Sequence, residues 1–283
     1  MSIVINHLTF AYTQGGKKLE PTLRDLTFTI EEGAFLGIIG HTGSGKSTFV
    51  KHLNGLLTSE KGSVCVDGLD LADKASRKKA RELVGMVFQY PEYQLFADTV
   101  FEDVAFGPRN MKLDADEVKK RVLNAMTLVG LDPELFSERS PFDLSGGERR
   151  RAAIAGVLAM HPKYLVLDEP MAGLDPLGRR EILALLEKLR SESHCTIIMI
   201  SHSMDDIANH ATKVLVLERG SLFLLDTPQE VFSHADELEK IGLSVPGVTK
   251  ICVEMNRRGI EIPASVCTEE AFLDWIREVK AHA

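Results

Sequence analysis

The sequence predicts an α/β fold: a P-loop NTPase core with an antiparallel β subdomain, an inserted helical subdomain and a small C-terminal extension. Three observations point there. Ala34-Phe-Leu-Gly-Ile-Ile39 is a short apolar run of the kind that forms a buried parallel strand. It leads straight into Gly40-His-Thr-Gly-Ser-Gly-Lys46-Ser47, which fits the pattern G-x-x-x-x-G-K-[ST]. A second apolar run, Tyr164-Leu-Val-Leu-Asp168-Glu169-Pro170, ends in two adjacent acids.

The elements follow in order. Residues 2–33 alternate in strand fashion, with a Gly-Gly-Lys-Lys turn between Tyr12 and Leu19. Residues 34–97 and 162–225 supply the parallel strands and packed helices of the core. A helix is expected from about Lys46 to Leu57, and strands at Leu83–Phe88 and Cys195–Ile200. Leu222-Phe-Leu-Leu225 reads as a buried strand. Between the two halves, about 98–161 reads helical. Asp114-Ala-Asp-Glu117 can cap a helix through Val129, with Val118, Val122, Ala125, Met126 and Val129 on one face. Residues 1–225 thus form one domain, and 226–283 a tail punctuated by Thr227-Pro, Pro246-Gly and Pro263. In that tail Thr268 can cap an amphipathic helix carrying Phe272, Leu273, Trp275 and Ile276.

The glycine loop has a direct physical reading. Gly40, Gly43 and Gly45 let the backbone of Gly40–Gly45, with His41, Thr42 and Ser44, turn sharply and aim its N–H groups at an anion. The following helix adds its positive dipole end. Lys46 is placed to neutralise β- and γ-phosphates, Ser47 to ligate Mg²⁺, and Thr48 to add a phosphate hydrogen bond. Asp168 and Glu169 divide the remaining work, one for the Mg²⁺ shell and one to polarise the attacking water. Phosphoryl transfer needs little more than positioning and charge stabilisation.

Leu144-Ser145-Gly146-Gly147-Glu148 is a second glycine-rich turn that opens a helix. Ser145 and Glu148 fit a plain capping box. That reading leaves Gly146 and Gly147 unexplained, since each weakens a first turn by up to about 1 kcal/mol relative to Ala. Bare backbone at a helix N-terminus suits close approach to a γ-phosphate, one held by a partner molecule. The next three residues, Arg149-Arg-Arg151, read as a solvated face with no catalytic role.

With these segments in this order, the chain resembles the ATP-binding cassette (ABC) family across roughly residues 2–225. Gln89, at the end of the strand Leu83–Phe88, looks like the Q-loop glutamine, which touches both metal and water. Ala172-Gly-Leu-Asp175 is similar to the D-loop, and His202, after the strand Cys195–Ile200, looks like the switch histidine. Tyr12 resembles the aromatic that stacks on adenine, for which a flat π-face is the physical need. Taken singly, a glutamine or histidine at a strand end also fits a solvent-facing or capping side chain, and Tyr12 fits packing. The shared order around a P-loop carries the resemblance.

Phe88-Gln-Tyr-Pro-Glu-Tyr-Gln-Leu-Phe-Ala-Asp-Thr-Val-Phe-Glu-Asp-Val-Ala-Phe-Gly-Pro108 narrows it further. This stretch looks like the A-component ATPases of energy-coupling factor (ECF) transporters, which import vitamins or transition-metal ions. It resembles especially the second of two A-components in the shared vitamin-transporter module. Met171 departs from the usual small residue there, and Met is adaptable packing material. The resemblance implies a second ATPase subunit (a paralogue or another copy), a transmembrane coupling subunit and a substrate-binding membrane subunit. It places the chain peripherally on the cytoplasmic face of the cell membrane. Two cassettes would bind ATP head-to-tail, with the Lys46 side of one facing Ser145 and Gly147 of the other. Tyr90, Tyr93, Leu95 and Phe96 are expected to form a groove for the membrane subunit, with internal packing as the alternative. The helix after Thr268 either packs on its own domain or helps to join the two ATPases.

Composition excludes several rivals. The chain has 283 residues and a formal net charge of −8, which disfavours broad nucleic-acid binding. Its four cysteines have no C-x-x-C spacing and read as reduced thiols. No signal peptide is evident, and no apolar stretch approaches the ~18 residues that span a bilayer. An ordinary ABC importer ATPase differs from the ECF reading only in the stretch 88–108. A soluble ABC ATPase acting on nucleic acid or ribosomes is disfavoured by the acidic balance and the lack of a long heptad insertion.

Overall fold

Alternating inward side chains build the first layer. In a computed structural model that describes residues 1–282, the strands Ser2–Phe10 (β1) and Leu23–Glu31 (β4) pair antiparallel. The short strands Thr13–Gln14 (β2) and Lys17–Lys18 (β3) form a hairpin between them around Gly15 and Gly16. Val64–Val66 (β6) and Leu69–Asp70 (β7) complete a four-stranded sheet in the order β4-β1-β6-β7. Ile3, Ile5, Leu8, Leu23, Leu26 and Ile30 bury one face of it against Phe49, Val50 and Leu53.

The second sheet is the core. It runs β12-β11-β5-β10-β9-β8 and comprises Phe35–Ile39 (β5), Val84–Val87 (β8), Tyr164–Asp168 (β9), Thr196–Ile200 (β10), Lys213–Glu218 (β11) and Ser221–Asp226 (β12). The first five of these pair in parallel, and β12 closes one edge antiparallel to β11. Every residue of β5, β8, β9 and β10 is buried, as expected for parallel strands covered on both faces. The segment Leu222–Leu225 is only half-buried. As an edge strand it sends Phe223 and Leu224 to one core and Leu222 and Leu225 to the other.

Helix Lys46–Leu53 (α1) follows the glycine loop, and Lys74–Leu83 (α2) precedes β8. α1 stops short of the expected Leu57, because Asn54 caps it and Gly55 turns at φ 68°. The amides of Leu56 and Leu57 both fold back onto the Lys51 carbonyl. The helical layer consists of Val100–Asn110 (α3), Ala115–Leu128 (α4), Pro133–Phe136 (α5) and Gly146–Leu158 (α6). Asp114 caps α4 by accepting the Glu117 amide at 2.9 Å, and Val118, Val122, Ala125, Met126 and Val129 are all buried.

Pro176–Ser193 (α7) and Met204–His210 (α8) lie after β9 and β10. The tail folds as Pro228–Ser233 (α9), Ala235–Lys240 (α10), Gly247–Arg257 (α11) and Glu269–His282 (α12). Thr268 caps α12 through the Ala271 amide at 3.2 Å. Phe272 and Trp275 pack on Val248, Cys252, Ile262 and Val266, while Leu273 stays exposed.

Two polar clamps tie the layers together. Asp67, in the turn between β6 and β7, accepts the Tyr164 hydroxyl at 2.6 Å and the Lys163 ammonium at 2.7 Å. Burial pushes the Asp67 carboxyl up, and these two hydrogen bonds outweigh it and hold the carboxyl below its ordinary range. Near the other edge, Pro246 offers α11 no side-chain cap, and Asp205 of α8 fills that role by accepting the Gly247 amide at 2.9 Å.

Candidate functional site

Close packing dictates the glycines of the loop after β5. A Cβ on Gly40 would stand 2.4 Å from the Ser44 Oγ and 2.5 Å from the Leu217 carbonyl oxygen. Gly45 adopts φ 101°, with the Thr22 carbonyl oxygen 2.9 Å from where a Cβ would be. Gly45 also leaves α1 with no side-chain N-cap, so the helix's first amides stay free for an anion. Lys46 is 7% exposed, and its ammonium donates to the carbonyls of Gly40 at 2.6 Å and His41 at 3.0 Å. Burial lowers its pKa, and the charges of Glu169 and Asp168 act in the opposite direction. Thr42 and Gly43 form the exposed crest of the loop.

Tyr12 stands beside the same helix. Its hydroxyl pairs with the Thr48 hydroxyl at 3.1 Å, so Thr48 is engaged there instead of facing the loop. Phe10 supports the Tyr12 ring edge-to-face at 4.9 Å and is itself supported edge-on by buried His52 at 4.7 Å. The Tyr12 ring is therefore held rigidly and left partly open to solvent.

The acids lie at the carboxyl end of β9, next to the loop after β5. Open α/β sheets bind ligands at such strand ends. Asp168 is buried, and burial raises its pKa; a hydrogen bond from Ser47 pulls it down and the charge of Glu169 pushes it up. Glu169 adopts φ 52°, a left-handed conformation costing about 1–2 kcal/mol for a residue with a Cβ. Its amide is anchored on the Ile200 carbonyl at 3.1 Å. Its side chain receives His202 Nε2 at Oε1, 2.9 Å away, and Gln89 Nε2 at Oε2, 3.4 Å away. Two residues from the neighbouring strand ends thus converge on the one carboxylate.

Among the described residues no cluster of three His, Cys, Asp or Glu side chains is placed to hold a metal. A P-loop magnesium site does not need one, since phosphate oxygens and water fill most of the shell. The Ser47 hydroxyl and the neighbouring Asp168 carboxylate are hard oxygen donors of the kind Mg²⁺ takes.

Ser145 caps α6 through the expected box. Its Oγ accepts the Glu148 amide at 3.3 Å, and Glu148 accepts the Ser145 amide at 2.8 Å. Nothing lies within 4 Å of where a Cβ would stand on Gly146 or Gly147, so this turn presents bare backbone. Asp175 caps α7 by accepting the Gly178 amide at 2.8 Å. With Gly147 it lines a cleft of about 140 Å³. The site residues therefore fall into two groups. Lys46, Ser47, Gln89, Asp168, Glu169 and His202 gather at the strand ends, whereas Ser145, Gly146, Gly147 and Asp175 line a separate face.

Two expectations need correction. The triple arginine is not a uniform solvated face: Arg150 is 4% exposed and bonded to Glu92, Pro170 and Ala172. Arg151 pairs with Glu181. Spacing alone carried no signal for this, because α6 packs its second turn against segments distant in sequence. Leu95 is a core residue as well as a groove residue: with Phe96 and Phe106 it lines a cavity of about 260 Å³, and neither Tyr90 nor Tyr93 lines it. Leu95 is 8% exposed and belongs to the core, while Tyr90, Tyr93, Phe96 and Phe106 stay outside. Met171 packs against the same core as a partly buried side chain.

A mixed sheet with a phosphate-binding loop, a strand-end acid pair and a glycine turn on a helical layer defines an ATP-binding cassette. A model of the ABC transporter family matches residues 23–172. The chain is 50% identical over 285 residues to the energy-coupling factor transporter ATP-binding protein EcfA2 of Caldanaerobacter subterraneus subsp. tengcongensis, covering 99% of each chain. Among solved structures, cbiO1 from Clostridium perfringens, part of the ABC transporter complex cbiONQ, matches with a TM-score of 0.72 at 38% identity. That match covers 84% of this chain and 93% of the other. The dimeric cassette MJ0796, in a post-hydrolysis state bound to ADP and Pi, matches with a TM-score of 0.71 at 28% identity, covering 80% and 98%. The chain belongs to the ABC transporter family, among its energy-coupling factor transporter ATP-binding proteins. It is an ATP-binding and ATP-hydrolysing component of a transporter, and no helix of the described residues is long and apolar enough to cross a membrane.

Proposed function

We propose that this chain is one of two cassettes that clasp ATP between them on the cytoplasmic face of an importer for vitamins or transition-metal ions. The observation that carries the proposal is the bare backbone of Gly146 and Gly147, which nothing in the same chain covers. It suits a γ-phosphate held on the Lys46 side of a second cassette. The second cassette is a paralogous ATPase subunit or another copy of this chain, and the pair sits on a transmembrane coupling subunit with a substrate-binding membrane subunit attached.

The residues divide the work as follows. The free amides of α1 and Lys46 bind the phosphates, and Tyr12 stacks on the adenine. Ser47 and Asp168 hold Mg²⁺, with Gln89 close by, and the ion when bound neutralises charge on the β- and γ-phosphate oxygens. Glu169 orients the attacking water, while His202 and Gln89 fix its two oxygens. Asp175 steadies the turn that carries the acids toward the partner. ATP favours the closed pair because it touches both halves, and cleavage removes the bridging phosphate. Nucleotide thus drives motion only through its different affinity for the two states. Tyr90, Tyr93, Phe96 and Phe106 meet the membrane subunit. Residues 1–225 act as the ATPase domain, with about 98–161 as its helical part, and 226–283 as an extension that contributes to pairing.

Affinity capture of the chain from native membranes, followed by mass spectrometry, tests the reading. It predicts recovery of a second cassette and of polytopic membrane proteins whose addition changes the ATPase rate. Recovery of ribosomes or DNA, with ATPase activity responding to those instead, would overturn it.

A further inference from the structure

Arg150 uses all three of its guanidinium nitrogens in four hydrogen bonds. It lies one turn beyond the Ser145 cap of α6, almost wholly buried. Nε and Nη2 each donate to Glu92 at 3.2 Å, one to each carboxylate oxygen. Nη1 donates to the Ala172 carbonyl and, at 3.5 Å, to that of Pro170. One planar guanidinium therefore joins three segments: the helix opened by Gly146-Gly147, the turn Pro91–Gln94 and the chain just after Glu169.

Each end of this bridge has a distinct environment. Glu92 sits in a one-turn 3-10 helix, between exposed Tyr90 and Tyr93, on the aromatic surface assigned above to the membrane subunit. At the other end, the Ala172 amide donates to the Glu169 carbonyl at 3.2 Å. Ala172 is thus held on both sides, by Arg150 through its carbonyl and by Glu169 through its amide. Glu169 is already in a left-handed conformation that its surroundings must maintain.

Burying an ion pair is a poor way to gain stability, because desolvation offsets most of the attraction. Apolar side chains would join these segments equally well. A guanidinium adds direction, since its rigid fork fixes the Glu92 carboxylate in the same plane that serves the two carbonyls. Displacing Glu92 turns that plane and pulls on the chain at Ala172.

We propose that Arg150 is the positioning residue through which the turn Pro91–Gln94 acts on Glu169, so that docking of the membrane subunit adjusts the water-orienting carboxylate. The inference rests on the membrane-coupled reading given under Proposed function. Arg150 hydrogen-bonds to none of the P-loop or metal-binding side chains, although it borders the cleft that Gly147 and Asp175 line.

The test uses full-length chains in two states: the cassette pair alone, and the same pair assembled with its membrane subunits in nanodiscs. The readout is the ratio of the ATPase kcat values in the two states, with KM for MgATP measured in each. Arg150→Lys keeps the charge without the fork, and Glu92→Gln keeps the shape without the charge. Each should move the ratio toward one by about 2- to 30-fold, the usual range for substitutions along a coupling route. KM should stay within about twofold. The double variant should do no more than the stronger single, because both act on one link. Equal losses in both states, leaving the ratio intact, would mean a purely structural role and overturn the proposal. If the Arg150 variant fails to assemble, Glu92→Gln decides alone, since it leaves the carbonyl contacts in place. A wild-type ratio of one would instead count against the membrane-coupled reading itself.

Discussion

Glu169 takes the His202 imidazole on its Oε1 at 2.9 Å, so the carboxylate is oriented by the strand beside its own. A carboxylate aimed this way can hold a water in line with a phosphate. Glu169→Gln keeps the side-chain shape, loses the charge and leaves one acceptor oxygen for the two nitrogens of Gln89 and His202. Phosphate release should fall by roughly 10²–10⁴-fold, the usual loss of a water-positioning base. Equilibrium ATP binding should change little. A near-normal turnover number would remove Glu169 from this role.

Ser145→Arg places a long cation on the open turn before Gly146 and Gly147. Nucleotide affinity of the single subunit should persist, because Lys46 and the α1 amides are untouched. ATP-dependent pairing should fail, as read by light scattering with and without nucleotide. The lost cap alone should cost about 1 kcal/mol of stability. A pair that still forms at wild-type nucleotide concentrations would contradict the composite site.

Charging the aromatic surface offers a separate check. Tyr93 is 84% exposed and Phe96 60% exposed, so Tyr93→Glu and Phe96→Glu bury nothing new and should leave the fold intact. Co-purification with membrane subunits should drop at least about tenfold, the effect of losing one or two interface anchors. Unchanged recovery would place the docking surface elsewhere.

Asp67→Asn isolates the clamp between the two sheets. Asp67 lies at φ 48°, a conformation that Asn tolerates, so the substitution removes charge without backbone strain. At neutral pH it should cost about 1.5–3 kcal/mol, the worth of a charged hydrogen bond. Because the folded carboxyl titrates below its unfolded value, this stabilisation is whole above that value and is lost as pH falls through the folded one. Denaturation curves of the two proteins should therefore converge below about pH 4. A gap that persists at lower pH would assign the effect to shape instead of charge.

The parts legible in the sequence are those whose chemistry is written in neighbouring residues. The loop Gly40–Ser47, the acids after β9 and the capping turn before α6 each need a strict local order. Arg150 was not legible, because its partners Glu92 and Ala172 lie 58 and 22 positions away and meet it only once α6 packs. The core role of Leu95 was not legible for a related reason. In an aromatic-rich stretch, composition cannot tell which side chain turns inward, and that is decided by packing against α3 and α6. The end of α1 was overrun because the apolar pattern continues past Asn54, whereas Gly55 turns the backbone away from the helix. The half-buried edge strand β12 reads in sequence like any buried run.

Asp205 and Gly247 bind the tail to the enzyme end of the molecule. The helix carrying Asp205 begins two residues after His202, so the appendage borrows its opening cap from the segment that steers Glu169. A truncated protein ending before Gly247 would leave that acid without its amide partner, close in sequence to His202. Deleting the appendage to simplify the enzyme would therefore perturb its chemistry as well as any pairing it supports.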